Sequence, residues 1–275
     1  MSRNFLLPFA VAALLLCSNN LQATPKEDHR LHRVVLDAGH GGKDAGGVSK
    51  DKKTYEKNLV LKIAFYLGEM IENEYKDEVQ VLYTRTKDVF VPLQDRADYA
   101  NRHDADLFIS IHINANFKTG PSGHSVHVLG ASSRPDRDLL AGNLDVCKRE
   151  NSVILMEDDY NTKYEGFDPS DDASYIFMTL MQGAFYEQSI LFASLVERQL
   201  AKGPVKVSRG VEQNPFYVLW KTSMPSVLLE LGFITNDADL AVLRSDANLK
   251  LLASRVFEAF KVYKKNYDET MNYGS

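Results

Sequence analysis

The run LFISIHI at residues 107–113 is the feature that most narrows the folds open to this chain. A strand with so few polar breaks is typical of a sheet that is covered on both faces. A second run of the same kind, SVLLELGF, occupies residues 226–233. Both runs therefore predict strands that are buried within a layered fold.

Segments with helical periodicity separate the strands. In the first of them Val60, Ile63, Leu67 and Ile71 recur at the spacing of one helix face. Further strands are predicted at 33–37, 79–85 and 125–130, and helices at 54–75, 93–102, 134–150, 187–202 and 246–264. This alternation predicts an α/β domain with a mostly parallel sheet and helices on both faces.

Length and charge narrow the function classes. The 275 residues suffice for one α/β domain or two small ones. The formal net charge of −5 argues against a nucleic-acid partner, which would call for a basic face. It also argues against simple electrostatic attraction to anionic membranes or wall polymers.

The N-terminus has the pattern of an export signal. Arg3 precedes an apolar run of about a dozen residues, which is too short to span a bilayer, and Ala23 offers a small residue at the cut. We therefore expect a signal peptide at 1–23 and a short linker at 24–32. Cleavage leaves Cys147 alone, so no internal disulfide can form, and we interpret Cys147 as a small buried hydrophobe.

Four residues could meet at the carboxyl edge of the predicted sheet, where sites gather in open α/β folds. His40 follows the first strand within VVLDAGHGGKDAGG, and Glu56 lies in the first turn of the next helix. His112 and Glu230 lie late in the two buried runs. Glu230 is the hardest to explain by structure alone, because a carboxylate in a buried strand costs several kcal/mol unless it is paired or bound to a metal.

A zinc ion accounts for all four residues together. Two imidazoles and one carboxylate bind Zn²⁺ with a fourth position left for water, and the remaining carboxylate can accept the proton of that water. The residues alone leave open which glutamate binds and which accepts the proton. Asp37 either orients His40 or caps the turn. The glycine-rich loop lacks the spacing of a phosphate loop, and a glycosidase with paired carboxylates would leave both histidines without a role.

The ordered motifs resemble those of a known family. VVLDAGHGGKDAGG, TYEKNLVLKIA, the stretch from LYTRTKD to FISIHINAN, and RGVEQNPFYVLWKTSMPSVLLELGFITN are similar to the motifs of zinc-dependent N-acetylmuramoyl-L-alanine amidases of bacterial cell walls. The resemblance implies a mixed, mostly parallel six-stranded sheet. It implies that His40, Glu56 and His112 bind Zn²⁺ and that Glu230 is catalytic. Arg96 and Asn101 also match, and we expect them to serve packing and helix register.

Residues 150–183 form a segment with eight acids and a single base, Lys163. We expect an exposed loop followed by an amphipathic helix at 174–184, with Ile176, Phe177, Leu180, Met181 and Ala184 on one stripe. Some members of the resembled family carry an inserted helix here that an activator protein displaces. That resemblance predicts a lid, with Glu150 or Glu157 blocking the metal. The alternative is an ordinary surface helix beside an acidic loop.

The sequence therefore predicts a catalytic domain at 33–265, a tail at 266–275 and a monomer that acts on peptidoglycan. We expect a periplasmic location, with secretion or a cell-surface location as the alternative, and no transmembrane segment after signal cleavage. Two other functions stay open. One is a zinc peptidase or deacetylase acting on another amide, and the other is an inactive wall-binding module that has kept the fold.

Overall fold

The computed structural model describes residues 30–130, 144–164, 167–180 and 185–273. The predicted signal peptide and most of the helix predicted at 134–150 lie outside these ranges. The strands are β1 Arg33–Ala38, β2 Gln80–Tyr83, β3 Leu107–Asn114, β4 His124–Val128, β5 Ser208–Gln213 and β6 Ser226–Phe233. The helices are α1 Glu56–Glu74, α2 Leu93–Arg102, α3 Leu144–Asn151, α4 Tyr160–Lys163, α5 Asp172–Leu180, α6 Tyr186–Leu200, α7 Tyr217–Trp220, α8 Asp237–Leu243 and α9 Asp246–Tyr273, with a 3₁₀ helix at Ser152–Met156.

The six strands form one mixed sheet in the order β2-β1-β3-β6-β4-β5. Neighbouring strands are parallel except for the pair β4 and β6. This confirms the predicted fold class and the number of strands. Strand β5 and helix α8 were not predicted, because SRGVEQ is too polar to read as a strand and DADLAVL is only seven residues long.

The alternation of side chains along β3 separates the core of the fold from its polar face. Leu107, Ile109, Ile111 and Ile113 point into the larger apolar core with α1, α6 and α9. Since successive residues of a strand face opposite sides, Ser110 and His112 lie on the other face. All eight residues of β3 are nevertheless buried, because the second face is covered as well.

The second face is covered by α2, α7 and the segment that runs from α3 through the 3₁₀ helix and α4 to α5, called the covering segment below. Its apolar cluster includes Phe108 from β3, Tyr217 from α7, and Cys147, Ile154 and Tyr175 from the covering segment. The covering segment is therefore part of the folded domain. Cys147 is fully buried as a free thiol, as expected for a small hydrophobe.

The two ends of the predicted domain differ from expectation. Helix α9 runs to Tyr273, so most of the tail predicted at 266–275 is helical. Tyr263 and Tyr267 continue its apolar stripe against the core, and Lys264 pairs with Asp268 one turn further on. The predicted linker also ends inside the fold, because Leu31 is fully buried and its N–H donates to Asp268.

Two residues of the stripe predicted for helix α5 do not face the core, and the side chains of the other three, Leu180, Met181 and Ala184, lie outside the described part of the chain. Tyr175 and Met178 are buried, whereas Ile176 and Phe177 are about half exposed. The preceding stretch is not a purely exposed loop, because Tyr164 and Phe167 are buried against α7. The rings of Tyr164, Phe167 and Tyr175, which lie outside the predicted stripe, form the buried side of this segment.

Within the described residues, no helix combines the length and the apolar character needed to cross a membrane.

We predict that Asp239→Ala lowers the free energy of unfolding by about 3 kcal/mol, measured by urea denaturation. The buried carboxylate of Asp239 accepts hydrogen bonds from the N–H groups of Gly123 and Phe233, at 2.8 and 2.9 Å, and the substitution leaves both donors without this acceptor. Asp237→Ala is the matched control in the same helix, because Asp237 is exposed and its ion pair within the described part of the chain is with the exposed Lys50. Equal effects of the two substitutions would contradict the assignment.

Candidate metal centre

Four sequence-predicted residues come together at one edge of the sheet. His40 follows β1, and Glu56 is the first residue of α1. His112 on β3 and Glu230 on β6 are direct neighbours in the sheet register. All four side chains are buried, and Glu56 and Glu230 are completely so. The fold therefore places these four residues at one edge of the sheet.

The ligand-type atoms of three of them form a compact set. His40 Nε2 lies 3.1 Å from His112 Nδ1 and 3.1 Å from Glu56 Oε1, and His112 Nδ1 lies 3.2 Å from Glu56 Oε1. Atoms that each bind the same tetrahedral zinc ion lie about 3.3 Å apart. This set is the metal-ligand cluster found in the described part of the chain.

The protein fixes the orientation of these side chains. His40 Nδ1 lies 2.7 Å from Asp44 Oδ2, which directs the opposite nitrogen toward the cluster. Glu56 Oε1 accepts a hydrogen bond from the N–H of Ile113, and Oε2 accepts one from the N–H of Gly47. The sequence left open whether Asp37 orients His40 or caps the turn. In the structure Asp44 contacts His40, and Asp37 accepts hydrogen bonds from Arg96, Thr84 and Ser110.

A further acidic side chain reaches the cluster from the covering segment. Glu150, near the end of α3, places Oε2 3.2 Å from His40 Nε2 and 3.1 Å from His112 Nδ1. Its neighbour Arg149 donates to Glu150 Oε1 at 2.7 Å and lies 3.4 Å from Glu230 Oε1. Glu157, the other acid considered, contacts Lys163 and the Tyr164 hydroxyl instead.

The donor set fits a divalent cation. Glu150 Oε2 and Glu230 Oε2 are buried and have no aligned hydrogen-bond donor among the described residues. Buried carboxylate oxygens of this kind require a cation to offset the loss of hydration. Imidazole nitrogens with carboxylate oxygens are a donor set that zinc accepts, so His40, Glu56 and His112, with Glu150, could hold Zn²⁺.

The local electrostatics agree with this interpretation. Burial alone would lower the pKa of His112, but the carboxylates of Glu150 and Glu56 together outweigh burial and raise the pKa to about 9. His40 behaves in the same way, because Glu56 and Glu150 raise its pKa well above the usual value against the effect of burial. The cluster thus holds positive charge at the position where a cation would displace protons. Burial raises the pKa of Glu230 to about 8, although Arg149 opposes the shift.

Arg96 does more than the packing expected of it. Its guanidinium donates to the carbonyl oxygens of Ala38 and His40 and pairs with Asp37 at 2.7 Å. Asn101 supports the connection to β6, because it donates to the Lys221 carbonyl and accepts from the Ser223 N–H. The expectation of a packing and register role therefore suits Asn101 and understates Arg96.

Sequence reasoning missed Asp44, Arg85 and Arg149. Asp44 had a readable signal, since it stands four residues after His40 in the same loop. Arg85 donates to the backbone carbonyls of Ala38 and Gly39, and such contacts leave no pattern in side-chain types. Arg149 is placed by the docking of α3, which sequence spacing does not reveal.

Similarity to known proteins identifies the family of this chain. The family model described as N-acetylmuramoyl-L-alanine amidase matches residues 34–261. The chain belongs to this family of hydrolases. The amidase AmiC of Escherichia coli O6:H1 is 33% identical over 235 residues, covering 84% of this chain and 52% of AmiC. AmiA of Escherichia coli K12 is 32% identical, covering 86% of this chain and 77% of AmiA.

A solved relative supports the fold. The CwlD amidase from Clostridioides difficile, solved in complex with the GerS lipoprotein, superposes with a TM-score of 0.60 at 21% identity. The match covers 84% of this chain and 98% of CwlD. The chain thus has the amidase catalytic fold, and it spans about half the length of AmiC.

We predict that Gly39→Ala weakens zinc binding at least about tenfold, measured by competition with a chromophoric chelator. A Cβ at Gly39 would overlap the imidazole ring of His112, so the ring must leave its position. Gly120→Ala is the matched control, because nothing lies within 4 Å of a Cβ built there. Unchanged zinc affinity in a folded Gly39→Ala protein would show that the ring position is not critical.

Proposed function

We propose that this chain is a zinc-dependent N-acetylmuramoyl-L-alanine amidase that cleaves the amide between the lactyl group of N-acetylmuramic acid and L-alanine of the stem peptide. The observation that carries the proposal is the buried cluster of His40, Glu56 and His112 with Glu230 beside it on the next strand. Zinc supplies a Lewis acid that lowers the pKa of water and polarises a carbonyl. His40, Glu56 and His112 hold the ion in this proposal.

Glu230 is the proposed catalytic residue. Its carboxylate accepts a proton from the attacking water and passes it to the leaving amine. Burial raises the pKa of Glu230, which makes the carboxylate a better base and also favours its protonated state during the second step. The neighbouring position of His112 in the sheet register keeps Glu230 next to the ligand set.

We further propose that the described conformation is closed. Glu150 occupies the side of the cluster where a water ligand would bind, since its Oε2 lies within 3.2 Å of both metal-facing nitrogens. Arg149, which lies next to Glu150 on α3, pairs with Glu230. Helix α3 would thus block both the metal and the base, and it must move before substrate can bind.

In this proposal helix α5, the predicted lid, stabilises the position of α3. Asp172 on α5 pairs with Lys148 on α3 at 2.7 Å. Tyr175 on α5 is buried in the same apolar cluster as Cys147. Asn151, at the end of α3, is held in turn by the Tyr217 N–H and the Pro215 carbonyl. In this proposal Glu150 of α3 is the inhibitory acid, and contacts from α5 and α7 support the position of α3.

A partner protein that displaces this segment is part of the proposal. CwlD was solved with a bound lipoprotein, so one relative with this fold is known to bind a protein partner. Here the exposed side chains Leu155, Met156, Ile176 and Phe177 lie on the covering segment, where an activator could bind without entering the metal site.

We propose that the protein acts as a monomer in the periplasm after export, in wall remodelling or daughter-cell separation.

Two rival functions predict different outcomes. A zinc peptidase or deacetylase would release other products from the same substrate, because the ligand set does not select the amide. An inactive wall-binding module would bind peptidoglycan without releasing stem peptides. The retention of all four site residues favours an enzyme.

We predict that zinc-loaded protein releases free stem peptides from purified peptidoglycan, whereas chelated protein and Glu230→Ala do not. Loss of the base should lower kcat by about 10²–10⁴-fold, since general acid–base catalysis contributes that much. Mass spectrometry of the released fragments identifies the bond that is cut. Release of disaccharides or of cross-link fragments alone would contradict the proposed specificity.

We predict that Glu150→Ala raises the basal rate about tenfold or more, because it frees the fourth metal position in a larger fraction of molecules. Asp158→Ala is the control from the same segment, because Asp158 is an exposed acid that lies outside the cluster. Zinc content is measured for every variant. A fully zinc-loaded Glu150→Ala protein that is no faster than the unsubstituted protein would refute the inhibitory role.

The single tryptophan reports whether the segment itself moves. Trp220 is the one tryptophan of the chain. The centroid of its ring lies 6.1 Å from the ring centroid of Phe177 and 6.5 Å from that of Phe167. Displacement of the covering segment should shift its fluorescence. Glu150→Ala alone should leave the emission nearly unchanged, because it removes the acid but keeps the aromatic packing.

A further inference from the structure

Two buried arginines hold the loop that carries His40. Arg85, which follows β2, donates to the carbonyl oxygens of Ala38 at 2.8 Å and Gly39 at 2.7 Å. Arg96, on α2, donates to Ala38 at 2.9 Å and to His40 at 2.8 Å. Three consecutive carbonyl groups are thus turned onto two guanidinium groups. Both arginines are almost fully buried, at 3% and 2% exposure.

The loop needs such support because it leaves the sheet at this point. The N–H of Gly39 still bonds to Ile111 of β3, and beyond it the backbone of His40 adopts a φ of 58°. A residue with a side chain rarely adopts this left-handed conformation and keeps it only when its surroundings hold it there. The hydrogen bond from Arg96 ends on the carbonyl of that same residue.

Charge attraction to a metal does not explain the two arginines. A cation placed behind a cation site repels the ion, so their position must serve another purpose. Arg96 is balanced by Asp37, whose remaining oxygen accepts a hydrogen bond from Ser110. Arg85 gives further hydrogen bonds to the carbonyls of Lys57 and Lys87, so the loop, the start of α1 and the stretch after β2 are all bonded to one side chain.

We propose that Arg85 and Arg96 are positioning residues of the metal site, because together they fix the three carbonyls of residues 38–40 and so set the direction of His40 Nε2. Asp44 orients the imidazole about its side-chain bonds, whereas the arginines fix the backbone from which it starts. Lysine cannot replace either arginine in this role, since a single ammonium group lacks the planar fork that reaches two carbonyls. This inference rests on the proposed zinc site.

The experiment is the zinc affinity of Arg96→Lys and Arg85→Lys in the full chain, measured by chelator competition together with thermal unfolding of the zinc-free protein. Each variant keeps its charge and should bind zinc about 10–100-fold more weakly, as outer-shell substitutions do. Lys264→Met is the control for lost stability. Lys264 is a buried cation on α9 that pairs with Asp268 and Glu78, away from the metal site. It should lower the unfolding temperature and leave the zinc affinity unchanged.

The outcomes separate the inference from the function on which it rests. Lysine variants that fold and bind zinc as tightly as the unsubstituted protein would overturn the positioning role. Failure of the unsubstituted protein itself to bind zinc would instead overturn the proposed function. A variant too unstable at room temperature is measured in the cold with trimethylamine N-oxide, which favours the folded state. The same affinity loss in Lys264→Met would reduce the effect to general destabilisation and overturn the inference.

Discussion

The structure depends on how buried carboxylates are neutralised at one edge of the sheet. Asp37, Glu56, Glu150 and Glu230 are all at least 95% buried there. Each would cost several kcal/mol without a partner of opposite charge. Arg96 neutralises Asp37, and Arg149 lies between Glu150 and Glu230. Among the described residues, the partners of Glu56 are the two histidines and two backbone N–H groups, so a metal ion completes the balance in the proposed enzyme.

The sequence predicted most of this edge because His112 and Glu230 are polar residues late in two buried strands, where sites gather in open α/β folds. In LFISIHIN every second residue is apolar, and the residues between them end in the histidine and asparagine that face the site. The same holds for Glu230, which lies between two leucines. His40 and Glu56 were found because they follow a strand and begin a helix. Buried polar residues in apolar strands are therefore strong signals, and the family resemblance then assigned them separate roles.

The rest could not be read in this way, for physical reasons. Arg85 acts on backbone carbonyl groups, which every residue has, so no residue type marks its targets. Polar β5 became a strand only through its parallel pairing with β4, a long-range contact that local composition does not indicate. The helix of the covering segment was predicted from the helical spacing of Ile176, Phe177, Leu180, Met181 and Ala184. The segment's aromatic residues Tyr164, Phe167 and Tyr175 decide its packing instead, and they place α3 over the metal cluster.

The same aromatic packing explains why a closed enzyme of this kind would need a partner to open. Burial of one large apolar side chain contributes about 1.5–3 kcal/mol, so exposing Tyr164, Phe167 and Tyr175 together costs about 5–9 kcal/mol. Even the lower value leaves fewer than about one molecule in a thousand open at equilibrium. A partner that covers these rings, or offers its own apolar surface to Ile176 and Phe177, recovers that free energy. Glu150 would then block the metal site, and the buried aromatic rings would set the free energy needed to displace the segment. Substitution of Glu150 and displacement of the segment would therefore relieve inhibition by different routes.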